Sequence, residues 1–182
     1  FLHGSTIAIN TLLERNGANT ALLITEGFRD IYEIGRVNRP DAYNLFFSKH
    51  VPLVPRSQRH EVSERLRADG SLHKALDEDR VRVLARQLKA EKIEAVAVLL
   101  LHSYRNPDHE RRVKAILQEE IPGAFVCASH ELSQEYREFE RVSTAVANAY
   151  VGPRVSAYLG ELEEHLEEKG FDGDFYAVQS TG

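Results

Sequence analysis

Residues 95–110 read AVAVLLLHSYRNPDHE, and this stretch decides the fold. The apolar run from Ala95 to Leu101 contains no polar residue, so the strand it forms is buried on both faces, as in a parallel sheet. Asn106-Pro107 then opens a helix, with the cap followed by proline at the first helical position. Asp108 and Glu110 fall in its first turn, where the helix dipole favours acids. Val113, Ile116 and Leu117 set its inward face. Working outward, residues 20–25 (TALLIT) and 124–128 are two more buried strands. A helix with Val81, Leu84, Ala85 and Leu88 on one face follows Asp77 as its cap. Strands alternating with helices of this length imply parallel pairing and an α/β architecture, a mixed or mostly parallel sheet with flanking helices.

Phe1 and Leu2 end a strand, Gly4 permits a turn, and Ser5 or Thr6 caps a helix whose stripe includes Ile9, Leu12 and Leu13. Asn16-Gly17 stops that helix. Residues 26–59 lose periodicity, apart from a short helix with Phe28, Ile31, Tyr32 and Ile34, and carry Pro40, Pro52 and Pro55. Residues 61–76 form a hairpin turning at Asp69-Gly70. Two helices, 138–150 and 154–169, are separated by Gly152-Pro153, and a last strand begins at Phe175.

The composition sets outer limits. The 182 residues are 42% hydrophobic, with 23 Lys and Arg against 28 Asp and Glu, a net charge of −5. Such a chain is too apolar for disorder, and its mildly acidic balance argues against sequence-independent nucleic-acid binding. No apolar run reaches the ~18 residues of a membrane span. A single cysteine excludes an internal disulfide framework and fits a reducing cytoplasm. Methionine is absent, and the chain opens on Phe1, which suggests a piece of a longer protein.

Four polar groups could carry chemistry. His3-Gly4-Ser5-Thr6 places free backbone N–H groups at a helix N-terminus, suited to phosphate or carboxylate, although ordinary capping explains the same pattern. Asn10, one turn beyond Thr6, faces the same way. Arg36, Asn38 and Arg39 can clamp an oxyanion bidentately or simply be solvated. His102, Ser103 and Tyr104 follow a buried strand, at the carboxyl edge where open α/β sheets bind ligands. Residues 129–141 are dense in carboxylates and arginines, and a charged helix face is the plainer reading. No GxxxxGK[ST], GxGxxG, HExxH, CxxC or GxSxG pattern occurs, so no metal site is expected. Cys127 reads as a small core residue.

Residues 3–15, HGSTIAINTLLER, resemble the HGTTxATNALLER segment of the hydantoinase A/5-oxoprolinase family. Gly27-Phe28-Arg29-Asp30, Glu33-Ile34-Gly35-Arg36, the stretch from Leu100 to Glu110 and SHELSQEYREFERVSTAVANAY from Ser129 resemble it too. Gln179-Ser180-Thr181-Gly182 looks like its QSNGG, with Thr181 in place of asparagine. The resemblance implies part of an actin/Hsp70/sugar-kinase-like (ribonuclease H-like) ATPase fold, with residues 1–182 a single α/β fragment and the next hydantoinase A domain starting near 175. It implies a cyclic amidohydrolase of hydantoinase, N-methylhydantoinase or 5-oxoprolinase type, dependent on ATP and on Mg²⁺ or another divalent metal, that phosphorylates a substrate carbonyl before ring opening. The alternatives are a subunit of an acetone/acetophenone-type carboxylase, or a non-catalytic assembly module. A small cyclic amide substrate, a hydantoinase B-type partner subunit or domain and an oligomeric state follow from the same resemblance.

The carried-over site consists of His3, Thr6, Asn10 and His102 as catalytic groups. Gly4, Ser5, Arg36, Asn38, Ser103, Arg137, Glu140 and Arg141 bind substrate or phosphate. The family's DxGGTxTD-like phosphate loops are missing from the sequence. This polypeptide alone is therefore expected to bind no cofactor, ATP weakly at best, and to be inactive. Convergence of the carried-over groups on one cleft would support catalysis, and scatter would support assembly.

Overall fold

A computed structural model describes residues 1–36, 43–47 and 51–178. Its main body is a four-stranded parallel sheet in the order β3-β2-β6-β7, built from β2 (Thr20–Thr25), β3 (Arg59–Val62), β6 (Ala95–Leu99) and β7 (Phe125–Ala128). Strand alternation sends the side chains to two opposite faces. Ala21, Leu23, Val96 and Val98 pack on one side with α3 (Glu78–Ala90) and α4 (Asp108–Glu120). Leu22, Ile24, Ala97 and Leu99 pack on the other with Val142, Ala145 and Val146 of α6 (Glu138–Glu168) and Tyr32 of α2 (Ile31–Ile34). Because both faces are covered, β2 and β6 are buried along their whole length.

A second region is smaller. Strands β1 (Leu2–Gly4) and β8 (Tyr176–Val178) pair in parallel, and α1 (Ile7–Glu14) lies against α6. No described helix is long and apolar enough to cross a membrane.

The α/β class, the buried strands β2 and β6 and the Asp77 cap stand as expected, with the Asp77 carboxylate accepting from Arg80 N at 3.0 Å; β7, at the sheet edge, is buried only at Cys127 and Ala128. Four readings need correction. Helix α4 starts at Asp108 with Pro107 in the cap position, while Asn106 Oδ1 accepts from Asp108 N at 3.0 Å. The left-handed residue that ends α1 is Arg15 at φ +53°, not Asn16 or Gly17. The hairpin occupies only β4 (Arg65–Leu66) and β5 (Leu72–Lys74), turning through Gly70 at φ +86°; residues 59–62 instead join the main sheet. Gly152-Pro153 does not break the helix, since α6 runs through both residues for 31 residues. Gly152 serves packing instead: a Cβ there would sit 2.5 Å from the Phe125 ring. Pro153 has no N–H to give Ala149 O, and at the next carbonyl Tyr150 O accepts from Ala18 N at 2.9 Å, tying α6 to the start of β2.

Candidate functional site

The carried-over residues fall into two groups on opposite halves of α6. The first surrounds β1. His3 Nε2 lies 2.8 Å from the Tyr158 hydroxyl, and its ring stacks on Phe1 with centroids 6.2 Å apart. Ser5 Oγ accepts from Ile7 N at 3.2 Å, and Asn10 Nδ2 donates to Thr6 Oγ1 at 3.3 Å. The hydroxyls of the HGST segment thus cap and brace α1, and Thr6, in the cap position, makes no side-chain bond to the helix backbone. Around Gly4 there is open space, and a Cβ would touch nothing within 4 Å.

The second group lies beyond the carboxyl edge of the parallel sheet. Arg141 is buried, with Nη1 donating to Ser103 Oγ at 2.6 Å and Nη2 to Leu100 O at 3.1 Å. Its guanidinium stands over the Tyr104 ring at 5.3 Å, and its Nε has no partner. Burial pushes the Arg141 pKa down, opposed by the Glu110 charge. Glu110, fully buried, accepts from Leu100 N at 2.8 Å, Ser129 Oγ at 2.7 Å and His130 N at 2.9 Å, with His130 Nδ1 2.7 Å away. A charge so fully hydrogen-bonded locks the ends of β6 and β7 to α4.

Arg36 sits just outside this network in an ion pair with Glu140, and the Arg36 bond holds the Glu140 carboxyl below the usual range. Arg137 occupies the residue before α6 at φ +113°, and Asn38 lies outside the described residues.

His102 follows β6 with φ +60°, a left-handed conformation that a non-glycine residue adopts only under local constraint. Its Nδ1 is buried without a partner, and the residue lines an open cleft of about 560 Å³ with Arg67, Lys74 and Glu64. Glu64, also buried, accepts from the Thr25 hydroxyl and lies 2.6 Å from His109 Nδ1.

Glu64 and Glu110 are the buried carboxylates that the motif reading passed over, yet a signal existed. Glu64 falls in phase between buried Val62 and Leu66, and Glu110 in phase with buried Val113 and Leu117. An acid on the inward stripe marks a paired buried charge.

Tyr158 lies 17 residues beyond Arg141 on one helix, about 25 Å at a rise of about 1.5 Å per residue. Within this chain the two groups therefore share no cleft. Among the described residues no three His, Cys, Asp or Glu side chains are arranged to hold a metal ion. The α1 N-terminus is already partly satisfied by Ser5. Among the described residues the side chains do not compose an ATP–Mg²⁺ site.

Residues 1–121 match the hydantoinase/oxoprolinase N-terminal region and residues 141–182 match hydantoinase/oxoprolinase. An uncharacterised protein of Methanocaldococcus jannaschii is 41% identical across 100% of the chain, which covers 27% of that relative. The structure of the ATP-dependent caprolactamase of Pseudomonas jessenii superposes with a TM-score of 0.91 at 34% identity, over 98% of this chain and 26% of that one. A nucleotide-free acetone carboxylase superposes with a TM-score of 0.84 at 29% identity, over 97% of this chain and 26% of that one. The chain spans about a quarter of the length of these relatives.

Proposed function

The chain belongs to the hydantoinase/oxoprolinase family, and from that premise we propose that it serves an ATP-dependent enzyme that opens cyclic amides. The observation that carries this reading is the likeness to an ATP-dependent caprolactamase over 98% of the chain. An unstrained amide is a poor electrophile. In the proposal the γ-phosphoryl group of ATP passes to the carbonyl oxygen with ADP leaving, which opens the carbon to water. Water adds, the ring C–N bond breaks with the nitrogen leaving as an amine, and the acyl phosphate so formed is hydrolysed to a carboxylate and phosphate. The phosphate-binding loops that this activation needs are not in the chain.

In this proposal His3 and Tyr158 act together. With the Tyr158 hydroxyl donating to Nε2, the neutral imidazole carries its proton on Nδ1 and can donate it to a carbonyl or phosphoryl oxygen. Arg36 exchanges Glu140 for a substrate carboxylate. The buried Glu110–Arg141 network holds the carboxyl edge rigid and presents His102 to the neighbouring cleft. A hydantoinase B-type partner subunit completes the assembly, in keeping with a relative that is the alpha subunit of a caprolactamase.

The test is made on a full-length enzyme carrying this segment, together with its partner subunit. ADP release dependent on a hydantoin, 5-oxoproline or caprolactam, with ring-opened product, is the expected result. ADP release dependent only on acetone or acetophenone with bicarbonate assigns it to the ketone carboxylases, the reading favoured by the acetone carboxylase likeness. His3→Ala is expected to cut activity strongly while leaving folding intact, and near-normal kcat/KM would remove His3 from the site.

The separation of His3 from Arg141 favours a second reading, in which the segment is an assembly module. Unchanged kcat/KM in both His3→Ala and His102→Ala, with loss of partner binding on changes along the exposed half of α6, would establish it.

A further inference from the structure

The strand order β3-β2-β6-β7 contains a reversal. From β2 the chain passes through α2, packed on the α6 face of the sheet, to β3 on one side. From β6 it passes through α4, packed on the opposite face, to β7 on the other side. The loops leaving these two adjacent strands therefore part to opposite faces, and open α/β sheets bind ligands in the crevice this leaves beyond the carboxyl ends. The cleft of about 560 Å³ beside His102 lies at that place. Glu26 follows β2 directly, His102 follows β6 in its left-handed conformation, and the β4–β5 hairpin adds Arg65, Arg67, His73 and Lys74.

Donors and acceptors in this cleft are unevenly matched. Glu64 accepts from the Thr25 hydroxyl and lies 2.6 Å from His109 Nδ1. Glu26 accepts from Lys74 Nζ at 2.8 Å and from Ser63 Oγ at 3.2 Å. The chain's own donors thus engage both carboxylates. Arg65 stands opposite Lys74 across the hairpin, where like charges repel. Lys74 is compensated by Glu26, whereas Arg65 has no hydrogen bond or ion pair among the described residues; its guanidinium carbon lies 4.7 Å from the centre of the Phe28 ring. A guanidinium stacked by its face is held in place with its N–H edge open, and that edge is a fork for an oxyanion. Arg67 Nη2 lies 3.1 Å from His73 Nδ1. Arginine keeps its protons, so Nδ1 accepts and the neutral His73 ring carries its N–H on Nε2, a further donor.

We propose that this cleft binds a small organic monocarboxylate, with its oxygens on the edge of Arg65 and its apolar part toward Leu66 and Ala68. Arg65, Arg67 and Lys74 against Glu26 and Glu64 leave one positive charge, which a monoanion balances. A phosphate dianion would overbalance it beside two carboxylates. The inference does not rest on the ring-opening reading, with which this cleft shares His102 alone.

The probe is butyrate, titrated calorimetrically into the full-length protein without ATP or Mg²⁺, so that the outcome is separate from any ring-opening activity. Saturable binding is expected, weakened about tenfold in Arg65→Gln and clearly weakened in Arg65→Lys, which keeps the charge but loses the fork. Thermal melts verify that the variants fold, and Arg65→Lys decides if Arg65→Gln does not. Equimolar orthophosphate is expected to leave butyrate bound. Absence of saturable binding overturns the proposal, as do an affinity unchanged in the folded Arg65 variants and displacement of butyrate by equimolar orthophosphate.

Discussion

Up to Gly152, α6 buries Arg141, Val142, Ala145, Val146, Ala149 and Tyr150; beyond it, no residue of the same helix is buried. The strands tell the same story. β2 and β6 are buried at every position, whereas every residue of β8 is exposed and α1 leaves Ile9 and Leu13 largely in solvent. One region has a sheet covered on both faces. The other has two short strands held by a cluster of aromatic rings: Phe1, His3, Tyr158 and Phe175. The difference teaches where stability resides. Burial scales with apolar area removed from water, so the four-stranded unit holds most of it.

The strongest way to break this contrast is to open the buried network at the sheet's carboxyl edge. Glu110→Ala leaves Leu100 N and His130 N without their acceptor and removes a buried carboxylate whose charge supports that of Arg141. The expected cost is about 3–5 kcal/mol, measured by denaturant unfolding. A cost below about 1 kcal/mol would mean that the network contributes little and that packing alone holds the edge.

Next comes Leu99→Ala, at a fully buried position on β6. Truncation there should cost about 2–5 kcal/mol, because the dense surroundings collapse only partly into the space. Cys127 probes the same core by pH. Burial pushes its thiol from 9.0 up to about 11. Between those values the unfolded chain releases a proton that the folded chain keeps, so stability is full below pH 9 and falls as pH rises through 11. Cys127→Ala should flatten that alkaline slope, and an unchanged slope would place its source in other groups.

In the open region the effects shrink. Tyr158→Phe removes the 2.8 Å bond to His3 while keeping the ring contact, and should cost about 0.5–1.5 kcal/mol in thermal unfolding. A larger loss would mean that the hydrogen bond, and not the ring stack, orders β1 against α6.

How much of this was legible in the sequence follows from the same contrast. Runs such as AVAVLLL and TALLIT announce strands buried on both faces, and Asp77 announces a cap, because each signal is local. Gly152-Pro153 misleads as a helix break because the reason for the glycine, the ring of Phe125, lies 27 residues away. Glu64 bonds to His109 across 45 residues, and Arg141 to Ser103 across 38. Periodicity carries no such information. The HGST segment reads as a helix cap sooner than as an anion site; in the structure Ser5 Oγ accepts from Ile7 N, while Thr6 bonds Asn10 and not the helix backbone. The family motifs thus mark positions that the fold sets apart as well as positions that it joins.

The smallest effect sharpens the comparison most. Leu13 is 77% exposed on α1, so Leu13→Ala removes little buried surface and should shift stability by no more than about 0.5 kcal/mol. Leu99 and Leu13 are the same residue type, so their ratio measures environment alone. If Leu13→Ala costs as much as Leu99→Ala, its apolar face is covered in solution, and the cost should then depend on protein concentration wherever a second copy is the cover. If the cost stays small and independent of concentration, the exposed face belongs to the isolated chain, and the two halves of α6 differ as the burial pattern says.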